Sequence, residues 1–144
     1  MYNKQEKLWC CITSNTNETD KLIKSRISTI VSPYALFLDG ELGSGKTYVS
    51  KQIAKQKNIS NISSSSFSKM NLYYSKVKII HADFYNISND EDFLYNEIYP
   101  QINDNTILLA EWISCSYPLD ILVFKLSISL LENNQRRFSM FRIY

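Results

Sequence analysis

Two stretches of the chain are apolar on both sides of an extended backbone, and they organise the rest. Tyr34-Ala35-Leu36-Phe37-Leu38 and Thr106-Ile107-Leu108-Leu109-Ala110-Glu111-Trp112 lack the alternation of a half-solvated strand. Each therefore reads as a central strand covered on both faces. Between and around them the period changes. Asn17-Glu18-Thr19-Asp20 reads as a helix start, followed at helical spacing by Leu22, Ile23, Ile27, Ile30 and Val31, with Pro33 as the stop. Lys46 to Lys57 has helix-forming composition with Val49, Ile53 and Ala54 on one side. Phe67 to Tyr74 and Val77 to Asp83 read as strands joined through Ser75-Lys76, and 58–66 as a polar Ser/Asn-rich loop. Asn89-Asp90-Glu91-Asp92 opens a further helix, with Phe93, Leu94 and Ile98 as its apolar side and Pro100 beyond its end. Leu119 to Leu130 and Phe138 to Ile143 flank the turn-like Glu132-Asn133-Asn134-Gln135 and form a C-terminal β-hairpin. Residues 1–16 read as an irregular or short-strand lead-in, apolar only at Leu8 to Ile12.

Strands alternating with helices predict an α/β fold with a mixed β-sheet flanked by helices. At 144 residues the whole chain, 1–144, reads as one domain. Composition changes this picture little. A formal net charge of +2, from 16 basic and 14 acidic side chains, gives no field that argues for direct contact with nucleic acid or membrane. The N-terminal Met1 to Lys7 is polar, so no secretory signal is expected. Leu119 to Leu131 is too short to cross a bilayer and carries Asp120 and Lys125. Cys10, Cys11 and Cys115 have no disulfide or zinc spacing. Free thiols in a reducing cytoplasm fit them best.

The chemistry sits where the first central strand ends. Gly40-Glu41-Leu42-Gly43-Ser44-Gly45-Lys46-Thr47 matches Gly-x-x-x-x-Gly-Lys-Thr at every fixed position. Glycines let backbone N–H groups curl around phosphates, and the following helix adds its positive end. Lys46 supplies a cation for the β- and γ-phosphates, and Thr47 a hydroxyl for Mg2+. An apolar strand before the loop and a helix after it are the context this motif requires. ATP or ADP with Mg2+ is the expected ligand.

Such a site also needs acids beside the metal and the attacking water. Asp83 and Glu111 each end an apolar strand, on the side of the sheet where ligands of open α/β folds gather. One acid so placed reads as a solvated strand end; two beside a phosphate loop read as a site. His81 is the sole histidine. It lies two residues before Asp83 on the same strand face, and its expected role is packing or hydrogen bonding.

Together these residues resemble the TsaE (YjeE) family of bacterial ATPases, which act in making threonylcarbamoyladenosine beside the tRNA anticodon. The resemblance rests on Glu18-Thr19, the Gly40–Thr47 loop, His81-Ala82-Asp83-Phe84-Tyr85 and Glu111-Trp112, in that order along the chain. It covers roughly Glu18 to Trp112. It implies that Gly43, Ser44, Gly45, Lys46 and Thr47 hold the phosphates. Thr47 with Glu111 would hold magnesium, and Asp83 would position or activate water, making Asp83, Glu111 and Lys46 the catalytic set. Thr19 would lie near the base or ribose, Tyr48 near the α-phosphate, and Trp112 would line the site or a partner surface. Ser64-Ser65-Ser66-Phe67 falls where the family has Ser-Pro-Thr-Phe, so Ser66 would replace a switch threonine. Other departures are Tyr48 for a second threonine and Asn86 for an arginine. The implied partner is the TsaB–TsaD pair, with tRNA reached only through it and no membrane involved.

Two other functions stay open. A small-molecule kinase on the same fold would use arginines around the transferred phosphoryl group. The arginines here are Arg26, Arg136, Arg137 and Arg142, none in the mid-chain. A nucleotide-dependent switch with negligible hydrolysis would need only the loop. A GTPase is disfavoured, since no Asn-Lys-x-Asp occurs.

Overall fold

The computed structural model describes residues 4–62, 69–113 and 118–144. Seven strands form one mixed sheet: β1 (Gln5–Thr13), β2 (Tyr34–Asp39), β3 (Met70–Tyr74), β4 (Lys78–Asp83), β5 (Thr106–Glu111), β6 (Leu122–Leu130) and β7 (Arg136–Ile143). Their spatial order is β1-β7-β6-β2-β5-β4-β3. The central strands β6, β2, β5 and β4 are parallel, while β1, β7 and β3 pair antiparallel at the two sides. This is the mixed α/β sheet that the sequence predicts, with β6 and β7 as its C-terminal hairpin.

Both central strands are covered on two faces, as their composition requires. Leu36 and Leu38 of β2 and Leu109 of β5 pack with Ile23 and Ile27 and with Val49, Ile53 and Ala54. Those partners lie in and beside α1 (Thr16–Arg26) and in α2 (Lys46–Gln56). Phe37, Leu108 and Ala110 point the other way, onto Leu94 and Ile98. The helical segment carrying them begins as α3 (Asp90–Asp92), widens into π-helical Phe93–Ile98 and ends in a 3₁₀ turn, Tyr99–Gln101. Pro100 therefore lies within that last turn rather than beyond it.

Several boundaries differ from the sequence reading. α1 starts two residues earlier than Asn17-Glu18 suggests. Asn15 is its cap, accepting from Glu18 N at 2.9 Å, while Glu18 accepts from Ser14 N at 2.6 Å. This reciprocal arrangement satisfies donors that an uncapped start would leave open. α1 also stops before Ile30, and Val31 is solvent-exposed. The lead-in, read as irregular or a short strand, is a nine-residue strand along the side of β7. Trp9 and Cys11 pack against the α1–α2 core, while Leu8, Cys10 and Ile12 face outward. Apolar residues on both sides hide that alternation. Ile59 and Ile62, read as loop, are buried in the same core. The predicted strand residues 67 and 68 lie outside the described residues.

Candidate functional site

β2, β4 and β5 run parallel, so Asp39, Asp83 and Glu111 end at one rim of the sheet, with Asp83 beside Glu111 in register. The loop from Gly40 lies on that rim. Gly43 and Gly45 have φ of 81° and 115°, backbone that side chains disfavour. Gly40 is needed for space instead. A Cβ there would come within 2.5 Å of Ser44 Oγ and 2.7 Å of Ile128 O.

Gly45 is also the N-cap of α2, and no side chain caps that helix. Its first N–H groups are left for a ligand, and the helix dipole makes an anion the favoured one. Lys46 is buried in the same place. Its Nζ donates to Gly40 O at 2.5 Å and Glu41 O at 3.0 Å, and lies 3.9 Å from the centre of the Trp112 ring. Burial lowers the Lys46 ammonium below its ordinary pKa, while Glu111, Asp39 and Asp83 pull it back up. Trp112 holds a left-handed φ of 60°, uncommon for so bulky a residue, and its ring meets Tyr85 edge-on at 5.1 Å.

Thr47 Oγ1 donates to Glu111 Oε1 at 3.0 Å. That bond turns the hydroxyl lone pairs away from the carboxylate, leaving hard oxygen atoms of both residues available to one cation. Among the described residues no cluster of three or more His, Cys, Asp or Glu is built to hold a metal. A donor set of one hydroxyl and one carboxylate suits Mg2+ that brings its own water and phosphate oxygens. Asp83 is half-buried, its Oδ1 accepting from Tyr85 N at 2.9 Å.

A separate cleft opens beside the loop, between the start of α1 and β7. Thr19 and Tyr48 both line it, next to Ser44 and Gly45. Thr19 is buried, and its hydroxyl is shared with Thr13 Oγ1 at 2.7 Å and Asn15 O at 3.2 Å. Tyr48 O–H donates to Asp20 at 2.5 Å, tying α2 to α1. Its pKa is pushed up to about 12 from 10.0, first by burial and then by the bond to Asp20 and its charge. Between those values the folded chain keeps a proton that the unfolded chain loses. Stability from Tyr48 is therefore complete below pH 10 and declines as pH rises toward 12. Denaturant titrations of the parent and Tyr48→Phe should show a stability gap that narrows through that window. A gap independent of pH would contradict the assignment.

The structure brings Gly43, Ser44, Gly45, Lys46, Thr47, Asp83 and Glu111 to one rim, with Thr19 and Tyr48 in the adjoining cleft. Ser66 lies outside the described residues. Two contacts have partners that the sequence reading did not name, although hydrogen bonding was expected of His81. His81 Nε2 donates to Glu111 Oε2, both side chains being buried. Arg136, the first residue of β7, donates from Nε to Ser44 O at 2.8 Å. Arg136 was visible as one of four arginines, but its reach to the loop was not, because 92 residues separate it from Ser44.

The sequence model of the family described as "Threonylcarbamoyl adenosine biosynthesis protein TsaE" matches residues 13–138. The chain belongs to the TsaE family. A relative named tRNA threonylcarbamoyladenosine biosynthesis protein TsaE, from Aquifex aeolicus, is 33% identical over 135 residues, covering 91% of this chain and 94% of its own. The protein of the same name from Rickettsia felis is 29% identical, covering 87% and 75%. Among solved structures, Bacillus subtilus YdiB superposes with a TM-score of 0.73 at 20% identity, covering 99% of this chain and 89% of its own. That likeness bears on the fold alone. Among the described residues no helix is long and apolar enough to cross a membrane.

Proposed function

We propose that this TsaE-family chain binds ATP with Mg2+ and hydrolyses it slowly, as a cytoplasmic accessory protein in tRNA threonylcarbamoyladenosine biosynthesis working with the TsaB–TsaD pair. The observation that carries the reading is the Thr47–Glu111 hydrogen bond at 3.0 Å beside an uncapped helix start and a buried lysine. Anion donors, a cation and two hard oxygen ligands meet at one rim. Magnesium bound there would neutralise phosphate charge; Lys46 and the first N–H groups of α2 would hold the phosphates, and Asp83 would orient water. Names of the relatives support the pathway.

Purified protein should bind ADP or ATP and join TsaB–TsaD in a nucleotide-dependent pull-down. No association under any nucleotide condition would remove the partner assignment, and no nucleotide binding would remove the whole reading.

A second reading, a nucleotide-dependent switch with negligible hydrolysis, is favoured by one observation. The Lys46 ammonium is already engaged by two carbonyl groups and the Trp112 ring, so a phosphate must displace them. Turnover of Asp83→Ala and Glu111→Ala separates the readings: equal, near-zero rates in parent and variants favour the switch.

Arg136 gives a further expected result. Its bond fixes the loop carbonyl just before Gly45, and charge-assisted bonds are worth about 1.5–3 kcal/mol. Arg136→Ala should weaken ATP binding about tenfold by calorimetry. An affinity within twofold of the parent would show that the loop keeps its shape without the Arg136 bond.

A further inference from the structure

We infer that His81 is a positioning residue for magnesium: by holding one oxygen of Glu111, it sets the other for Thr47 and the cation. The inference rests on the magnesium–nucleotide reading above. His81 and Asp83 project from β4 to the same face as Glu111 on β5, with Asp83 and Glu111 in register and His81 opposite Leu109. Glu111 is 4% exposed and His81 5% exposed, so water supplies little to either. The carboxylate divides its oxygen atoms between two donors: Oε1 accepts from Thr47 and Oε2 from His81. A carboxylate with one donor can rotate about its terminal bond; one held at both oxygen atoms cannot without breaking a bond. Removing the donor on Oε2 leaves a buried, charged acceptor short of a partner, a state that costs free energy and favours reorientation. The same logic makes outer partners of metal-binding carboxylates worth about ten- to a hundredfold in metal affinity.

Fluorescent ADP binding, measured in EDTA and across a Mg2+ titration, tests this with His81→Gln and His81→Asn. A glutamine amide nitrogen reaches about as far as Nε2, and an asparagine amide falls short. His81→Asn should raise the Mg2+ half-saturation about tenfold while affinity in EDTA stays within about twofold; His81→Gln should recover most of the loss. Unchanged magnesium dependence in His81→Asn overturns the inference. So do equal losses in both variants, or a parallel loss in EDTA, each marking a merely structural role. Glu111→Gln alone and with His81→Asn reads the same coupling. Equal half-saturations support the inference, and additive losses overturn it. A parent that binds no nucleotide overturns the underlying reading and this inference with it. A parent with normal magnesium dependence that the variants share overturns the inference alone.

Discussion

Lys46→Met should weaken ATP binding about a hundredfold and leave the melting temperature no lower than that of the parent. The two halves of this result have different origins. A phosphate oxygen at the start of α2 would take the ammonium over from Gly40 O and Glu41 O, in a place that water barely reaches. Truncating a buried, hydrogen-bonded charge costs about 2–5 kcal/mol of binding, and about 3 kcal/mol corresponds to the hundredfold loss. Stability follows the opposite sign. The folded chain lowers the pKa of Lys46 because burial outweighs the pull of Glu111, Asp39 and Asp83. A lysine so shifted costs stability at neutral pH, and the cost is relieved only as pH rises past its folded pKa toward 10.5. Methionine removes the cost and keeps most of the stem volume, while Glu111 retains its bonds to Thr47 and His81. Calorimetric titration and thermal melts on one preparation check both halves. An affinity within threefold of the parent would remove Lys46 from the phosphate site, and a large fall in melting temperature would show that its bonds to the loop carbonyls stabilise the fold.

The geometry of the Gly40–Thr47 loop was legible because it is local. Glycine, lysine and threonine at fixed spacing must fold as one turn, and a strand and a helix on either side leave that turn one geometry. Asp83 and Glu111 were legible for a related reason: each follows an apolar run, and parallel strands put run ends on one rim. What the sequence hid was pairing at a distance. β1 is a strand because β7 lies beside it, and apolar residues on both its sides erase the alternation that would have announced it. Its outward Leu8 and Ile12 are as apolar as its inward Trp9. The bond of His81 to Glu111 spans 30 residues and that of Arg136 to Ser44 spans 92. Neither residue lies in a spacing rule that predicts its partner; only the sheet order brings them together. The early start of α1 is a smaller case of the same limit. Asn15 and Asn17 are both good caps, and Glu18, three residues after Asn15, decides between them.

Asp83→Asn should lower the rate of ATP hydrolysis about a hundredfold or more while ATP affinity changes by less than about threefold. Asp83 is anchored for such a role. Its Oδ1 accepts from Tyr85 N at 2.9 Å, and its own N–H donates to Lys69 O at 2.9 Å, so both ends of the residue are fixed. Among the described residues nothing else bonds its second carboxylate oxygen, which stands beside Glu111 on the rim where the phosphates are proposed to lie. Asparagine keeps an oxygen for Tyr85 N and so keeps the turn; it loses the basicity that accepts a proton from water. General-base assistance of this kind is worth about a hundred- to ten-thousandfold. Binding should barely respond, because the proposed phosphate contacts come from Lys46 and α2. The small change that remains has a sign: removing the Asp83 charge takes away one of the groups that raise the Lys46 pKa. Single-turnover hydrolysis with TsaB–TsaD present, beside calorimetric ATP binding, separates rate from affinity. A rate within tenfold of the parent would mean that water is oriented by another group, and an equal fall in affinity and rate would make Asp83 a binding residue instead.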